Sequence, residues 1–125
     1  MKVSYKKFEE MAKDAFYRIP SEFRDRLDNI DIVVAERPEA EFFKERRFSL
    51  RNLLGLYCGV PLRRRGIFYS NVLSDRIILY KDNIESRCKN EEELKRKIED
   101  VLLHEIGHYF GLSEKELRSL EKGTK

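Results

Sequence analysis

The sequence predicts an α+β protein with a small mixed β-sheet of three to four strands packed on helices. Apolar residues recur at three- and four-residue spacing near both ends of the chain, as they do on amphipathic helices. Between these segments lie short runs rich in β-branched and aromatic residues, which are typical of strands. The length of 125 residues fits one domain, so a single domain is expected over residues 1–125.

The first predicted element is an amphipathic helix of about four turns. Proline disfavours the helical conformation in the residue before it, so the helix should end at Ile19-Pro20. Ser21 is then expected to cap a short helical turn that continues to Leu27. The apolar stripe of the first helix comprises Phe8, Met11, Ala12, Ala15 and Phe16.

Four segments have the composition of strands, and they follow the opening helices. They are Ile30–Ala35, part of Arg51–Leu62, Gly66–Ser70 and Arg76–Tyr80. The last two are separated by Asn71–Asp75, a length that suits a hairpin loop. The charged stretch Glu36–Leu50 has no clear period and is interpreted as a loop with helical turns at most.

Helical signals return after the last strand. Asp82 or Asn83 should cap a short helix that ends at Cys88. Asn90, with Glu93 three residues later, forms a capping-box pattern for the main helix, and Gly111 is placed to end that helix in the left-handed conformation. The apolar stripe of this helix comprises Leu94, Ile98, Leu102, Ile106 and Tyr109.

The main helix carries the only two histidines of the chain in the motif His104-Glu105-Ile106-Gly107-His108. Residues four apart lie one turn apart on the same helix face, so both imidazoles can reach one ion. An H-E-x-x-H motif on a helix predicts a zinc site with Glu105 as the general base, positioned beside that face. The competing interpretation is a solvated histidine pair on a charged helix.

A third ligand is expected after the helix. Gly111 permits a sharp reversal that can return Glu114 toward the metal, giving the pattern H-E-x-x-H-x-x-G-x-x-E. Two histidines and one carboxylate would leave a position for water, as catalytic zinc requires. Glu114 could instead be an ordinary acid in the first turn of a final helix. Glu116 is a second candidate ligand, although a capping box with Ser113 suits it better; Leu117 and Leu120 would anchor that final helix.

Composition limits the other functional classes. The 26 basic and 23 acidic residues give a net charge of +3, which is too small to indicate a nucleic-acid partner, and Arg63–Arg65 is interpreted as a solvated loop. No apolar run is long enough for a membrane helix, and Met1–Glu10 lacks a signal core, so a cytoplasmic location without a membrane partner is expected. The absence of Trp and Gln and the abundance of Lys, Arg and Glu suggest a thermophile source.

Two further groups of side chains receive structural interpretations. Cys58 and Cys88 are expected to be buried or inert thiols rather than a disulfide. Tyrosines could stabilise an oxyanion near a metal, but core or strand positions explain them more simply. These tyrosines are Tyr57, Tyr69, Tyr80 and Tyr109.

The sequence as a whole resembles the small bacterial zincin-like metallopeptidases. The resemblance runs from Ile19–Phe23 through Ile32–Val34 to the H-E-x-x-H helix and Phe110–Leu112. It implies a compact zincin-like α+β fold with a small sheet against the metal helix. It also implies His104 and His108 as zinc ligands, Glu105 as base and Glu114 as third ligand. The intervening matches are Leu53–Tyr57, Gly59–Leu62, Asp75–Ile77, Leu79–Tyr80 and Val101–Leu103, and Leu117 also matches.

These observations favour a zinc-dependent peptidase that hydrolyses a peptide or protein with zinc-bound water as nucleophile. The substrate is expected to extend along the strand Ile77–Tyr80 by strand addition. The alternative is a non-catalytic metal-stabilised binding module, and metal-dependent nucleic-acid hydrolysis is a third, weaker hypothesis. The sequence does not determine the oligomeric state, and a monomer is compatible with it.

Overall fold

The computed structural model describes residues 1–27, 30–39, 50–59, 75–112 and 115. Within them, three strands and four helices form an α+β structure, which confirms the predicted class. The strands are β1 (Ile30–Ala35), β2 (Gly55–Cys58) and β3 (Asp75–Tyr80). The helices are α1 (Tyr5–Arg18), α2 (Ser21–Arg24), α3 (Lys81–Glu85) and α4 (Glu91–Tyr109), and a single 3₁₀ turn covers Leu50–Asn52.

The sheet is mixed, with the strand order β1-β3-β2. β1 pairs with β3 in parallel, from Ile30 opposite Asp75 to Ala35 opposite Tyr80. β2 pairs antiparallel with the other edge of β3, from Gly55 opposite Leu79 to Cys58 opposite Arg76. β3 is therefore the central strand of the described sheet.

The central position of β3 overturns two expectations about it. Both of its edges are paired, so a hairpin partner or a substrate peptide cannot add to Ile77–Leu79. The predicted strand Gly66–Ser70 and most of the predicted hairpin loop lie outside the described residues. Sequence pattern identified β3 as a strand but could not show that segments distant along the chain occupy both its edges.

α1 and α4 pack against each other, and α4 also contacts β2 and β3. Residues alternate across a strand, so the fully buried Ile77 and Leu79 face these helices from the sheet. Burying each such side chain contributes about 1.5–3 kcal/mol. The hydroxyl of Tyr5 donates a 2.6 Å hydrogen bond to the carbonyl of Val34, which ties the start of α1 to β1.

The predicted opening helix is confirmed, and the structure shows how it begins. Ser4 caps α1 by accepting a 3.1 Å hydrogen bond from the N–H of Lys7. The expected cap at Ser21 is wrong, because Ser21 is the first residue of α2 and Pro20 precedes it without a side-chain cap. α3 also differs from expectation: it begins at Lys81, before both predicted caps, and Tyr80 is its N-cap.

The main helix begins as predicted. Asn90 Oδ1 accepts a 2.9 Å hydrogen bond from the N–H of Glu93. The carboxylate of Glu93 returns to the N–H of Lys89 rather than to that of Asn90, so the reciprocal bond of the capping box is displaced by one residue. None of the helices in the described part of the chain is both long and apolar enough to cross a membrane.

Candidate metal centre

The last turn of α4 holds the H-E-x-x-H motif, and Gly111 ends the helix directly after it. Gly111 has φ of 84°, a left-handed conformation that glycine adopts without steric cost. Its N–H donates to the carbonyl of His108 at 2.9 Å, and the N–H of Leu112 donates to that of Gly107 at 3.0 Å. These two bonds form a Schellman motif, which confirms the predicted end of the helix.

The two histidines lie side by side, one turn apart on the helix. Their ring centroids are 4.9 Å apart, and the ring planes are inclined by 83°. Both side chains are partly exposed, so solvent can reach this face of α4. One ligand atom from each of His104, Glu105 and His108 lies within 4.8 Å of the others, a spacing that could hold a metal ion.

This donor set fits zinc. Imidazole nitrogen and carboxylate oxygen are both ordinary zinc ligands, and two nitrogens at about 2.1 Å from one tetrahedral ion lie about 3.4 Å apart. Donor atoms of His104, Glu105 and His108 that lie within 4.8 Å of one another are close to that separation. His104 and His108 are the pair that would hold such an ion.

Glu105 occupies a different environment from the histidines. Its side chain is only 8% exposed, because it lies within the buried stripe of α4, near Val101 and Tyr109. Its Oε1 accepts a 2.9 Å hydrogen bond from the main-chain N–H of Tyr57 in β2. The expectation of an acid beside the histidine face is therefore refined: Glu105 points toward the sheet, and β2 holds its carboxylate.

The orientation of the Tyr57 N–H follows from the pairing of β2. The N–H of Tyr80 donates to the carbonyl of Leu54, so Leu54 and Tyr80 form a hydrogen-bonded pair. Such pairs alternate along an antiparallel ladder, so the main-chain N–H of Tyr57 faces away from β3. This N–H therefore lies on the outer edge of β2, where it donates its hydrogen bond to Glu105.

Gly55 is a contributor to the site that the sequence analysis did not single out. A Cβ atom at this position would lie 2.7 Å from Cγ1 of Val101 and 3.2 Å from Cγ of Glu105. Only a glycine lets β2 approach α4 this closely. An isolated glycine in a strand often marks such a close approach, which is the signal that could have identified it.

The sequence also contains no indication of a polar contact between Tyr57 and Asp75 on the helix-facing side of the sheet. The hydroxyl of Tyr57 donates a 2.9 Å hydrogen bond to Oδ2 of Asp75, whose side chain is 2% exposed. The Tyr57 ring also contacts the ring of Tyr109 edge-to-face, with centroids 5.9 Å apart. Gly59 lies against the same pair, since a Cβ there would be 2.5 Å from Oδ1 of Asp75.

Burial raises the pKa of three side chains in the described part of the chain. It raises the pKa of the Tyr80 hydroxyl to about 12, and the charges of Cys58, Glu39 and Glu105 act in the same direction. It also raises the pKa of the Cys58 thiol, against the lowering effect of Arg76. Both cysteines are free thiols, as predicted, and the pKa of Cys88 is raised by burial as well.

Several sequence predictions lie outside the described residues. They concern the third ligand, the basic loop, one tyrosine and the final helix. The residues in question are Glu114, Glu116, Arg63–Arg65, Tyr69, Ser113, Leu117 and Leu120. The other three tyrosines have the structural positions expected of them: Tyr80 and Tyr109 are buried, and Tyr57 is partly buried.

The fold and the site together define a small protein with a potential metal-binding H-E-x-x-H helix. Comparison with family models gives a match over residues 27–124 to the zincin-like metallopeptidases. The chain therefore belongs to the zincin-like metallopeptidase family, which confirms the resemblance found in the sequence. Comparison with curated proteins gives no match.

Among solved structures, the chain is similar to a conserved hypothetical protein from Thermus thermophilus. The two share 21% sequence identity, and the TM-score is 0.54. The match covers 95% of this chain and 98% of the other. At this identity the likeness supports the fold alone, so a heat-adapted source for the present chain stays a prediction.

Proposed function

We propose that this protein is a zinc-dependent metallopeptidase, in which His104 and His108 bind the metal and Glu105 is the general base. The observation that carries the proposal is the grouping of three ligand atoms within 4.8 Å on one turn of α4. Membership of the zincin-like family supports the metal and the reaction class. A zinc ion bound there would supply the Lewis acidity that activates water and polarises a peptide carbonyl.

The environment of Glu105 suits a proton carrier. A general base must be held within hydrogen-bond reach of the proton it takes, and the bond from Tyr57 restrains one oxygen of this carboxylate. A carboxylate fixed in this way can accept a proton from the attacking water and pass it to the leaving amine. Burial among apolar neighbours keeps competing solvent away from the transfer.

The position of β2 indicates where an extended substrate would lie. β2 is an edge strand of the described sheet, and its outer edge faces Glu105. A peptide that binds the sheet by strand addition therefore reaches the acid along β2. This placement replaces the one on β3, whose edges are both paired.

Glu114 is proposed as the third ligand, through the reversal of the chain at Gly111. The test compares zinc affinity in Glu114→Ala and Glu116→Ala, measured by competition with a chromophoric chelator. We expect a loss of about 10- to 100-fold in Glu114→Ala and little change in Glu116→Ala. The opposite order would move the ligand to Glu116, and equal affinities would remove both acids from the site.

The catalytic role is tested with a library of fluorescence-quenched peptides and zinc-loaded protein. Glu105→Gln should lower kcat by about 10²–10⁴-fold, because it removes the base while leaving both histidines in place. The matched control is Glu92→Gln, the same chemical change at an exposed position on the same helix. Wild-type activity in Glu105→Gln would refute the mechanism. Tight zinc binding without turnover of any peptide would instead favour the metal-stabilised binding module.

A further inference from the structure

We propose that Tyr57 is a positioning residue for Glu105, and that the buried carboxylate of Asp75 enables it to act. The inference rests on the proposed role of Glu105 and extends it to two residues beyond the H-E-x-x-H motif. Tyr57 makes both contacts: its main-chain N–H donates to Oε1 of Glu105, and its hydroxyl donates to Oδ2 of Asp75. Both distances are 2.9 Å.

The main-chain contact alone does not fix the acid, because β2 is a short strand of four residues at the edge of the sheet that the structure describes. A hydrogen-bond donor on such a strand moves whenever the strand frays. The Tyr57 side chain opposes this motion, since it is anchored at its far end. Asp75 belongs to the central strand β3, which is paired along both edges.

The hydrogen bond that anchors the Tyr57 hydroxyl is partly buried, and its acceptor is a carboxylate. Asp75 is 2% exposed, and a hydroxyl bond to a carboxylate is stronger than one between neutral groups. The Tyr57 ring also contacts the ring of Tyr109 edge-to-face, and Tyr109 directly follows His108. Tyr57 therefore adds three contacts to the pairing of β2 with β3: one with Asp75 of β3, and two with Glu105 and Tyr109 of α4.

The close packing at Gly59 supports this proposal. A Cβ atom at that position would come within 2.6 Å of Cγ of Asp75 and within 2.8 Å of the Tyr57 hydroxyl. Gly59 therefore packs directly against the partly buried bond between Tyr57 and Asp75. Partial exclusion of water strengthens such a bond.

Amide hydrogen exchange at residue 57 measures the positioning directly in the metal-free protein. The N–H of Tyr57 lies outside the ladder with β3, so its protection reports on the contact with Glu105. The N–H of Leu56 faces β3 and serves as an internal reference for the strand. Glu105→Ala sets the exchange rate expected when the contact is lost completely.

Tyr57→Phe removes the bond to Asp75 and keeps the ring. We expect exchange at residue 57 to accelerate about tenfold while Leu56 changes less than about twofold. Asp75→Asn retains a weaker acceptor and should accelerate exchange about threefold. The matched control is Tyr5→Phe, which removes a hydroxyl bond to β1 away from the site and should leave residue 57 unchanged.

The proposal is overturned if exchange at residue 57 is unchanged in Tyr57→Phe or in Asp75→Asn when that variant folds, or if Leu56 accelerates equally. Either folded variant decides the matter, so failure of one to fold does not protect the idea. Where peptide turnover is found, Tyr57→Phe should lower kcat about tenfold, with KM and zinc affinity within about threefold of wild type. Exchange is measured without metal or substrate, so a protein without turnover can still show the positioning.

Discussion

The main-chain N–H of Tyr57 and the carboxylate of Glu105 are 2.9 Å apart, and this bond joins the H-E-x-x-H helix to the edge of the sheet. The two histidines of the motif remain on the partly exposed side of α4, whereas the acid between them turns inward. Within one helical turn, the two histidines thus lie on a face that can hold a metal, whereas the side chain of Glu105 is held by β2. The position of the Glu105 carboxylate therefore depends on the distance between α4 and β2.

That distance should be sensitive to a single methyl group at Gly55. Gly55→Ala would place a Cβ atom 2.7 Å from Cγ1 of Val101, so one of the two elements must move. Overpacking of this kind costs about 1–3 kcal/mol in the free energy of unfolding, measured by urea denaturation. The bond between Tyr57 and Glu105 should weaken at the same time.

The control for this prediction is the double variant Gly55→Ala with Val101→Ala. Removing the valine methyls opens the space that the new Cβ needs, so the double variant should lose less stability than the sum of the two single variants. If the stability losses of the two single variants simply add, or if Gly55→Ala is as stable as the wild type, α4 and β2 are not closely packed at this point.

Much of the fold could be predicted because it depends on local patterns. α1, β1 and α4 follow from apolar periodicity, β-branched composition and the caps at Asn90 and Gly111. The position of β3 between two partners could not be predicted, since pairing depends on residues far apart in the chain. The resulting error placed the substrate on a strand with no available edge.

The same distinction applies to the site. The spacing of His104 and His108 determines that they share a helix face, so their proximity follows from sequence. The burial of Glu105 does not follow from sequence. Helical periodicity assigns apolar residues to the core, and it leaves an acid such as Glu105 outside. Its bond to Tyr57 and the anchor at Asp75 depend on the packing of β2 against α4. Only the glycine at position 55 signals that packing in the sequence.

Metal binding should stabilise the folded protein through the two histidines. A ligand that binds only the native state raises the free energy of unfolding, by about 2.7 kcal/mol at one hundred times Kd, and the melting temperature rises with it. Zinc should therefore raise the Tm of the wild type, and chelation should reverse the change. His104→Ala and His108→Ala should each lose most of this increase in a differential scanning experiment.

Glu105→Gln serves as the control in these melts, because a base that is not needed as a ligand leaves the zinc-dependent increase in place. An equal increase in wild type and both histidine variants would mean that zinc binds elsewhere. Loss of the increase in Glu105→Gln as well would assign Glu105 to the metal rather than to proton transfer.

The buried ion pair between Lys81 and Glu85 in α3 should contribute much more than an exposed pair to the free energy of unfolding. Glu85 is 2% exposed; it accepts from Lys81 Nζ at 3.0 Å and from the N–H of Val3 at 2.8 Å. Glu85→Gln leaves the buried ammonium of Lys81 without its counter-charge, which costs about 3–5 kcal/mol. Urea denaturation at neutral pH measures the loss.

Glu91→Gln is the matched control, because it breaks the 2.7 Å ion pair with Lys7, in which both side chains are about half exposed. Solvent screens that pair, so Glu91→Gln should lower the free energy of unfolding far less than Glu85→Gln does. Equal losses in the two variants would show that burial adds nothing to the pair between Lys81 and Glu85.

Tyr80 should make the protein less stable at high pH. Burial raises its pKa from the usual value of 10 to about 12 in the folded state. Below pH 10 the hydroxyl is neutral in both states, and its contribution to stability is complete. Between about pH 10 and 12 the unfolded chain loses this proton while the folded chain keeps it, so the free energy of unfolding falls by at most about 2–3 kcal/mol.

Tyr80→Phe isolates this effect from the titration of lysines in the same range, since phenylalanine keeps the ring and cannot ionise. Urea unfolding of both proteins at about pH 8.5 and about pH 11 gives four free energies, and the wild type should lose more stability than the variant over that interval. Parallel losses in the two proteins would mean that the Tyr80 hydroxyl ionises as readily in the folded state as in the unfolded state. In that case water must reach the Tyr80 hydroxyl in the folded protein, although this residue is buried.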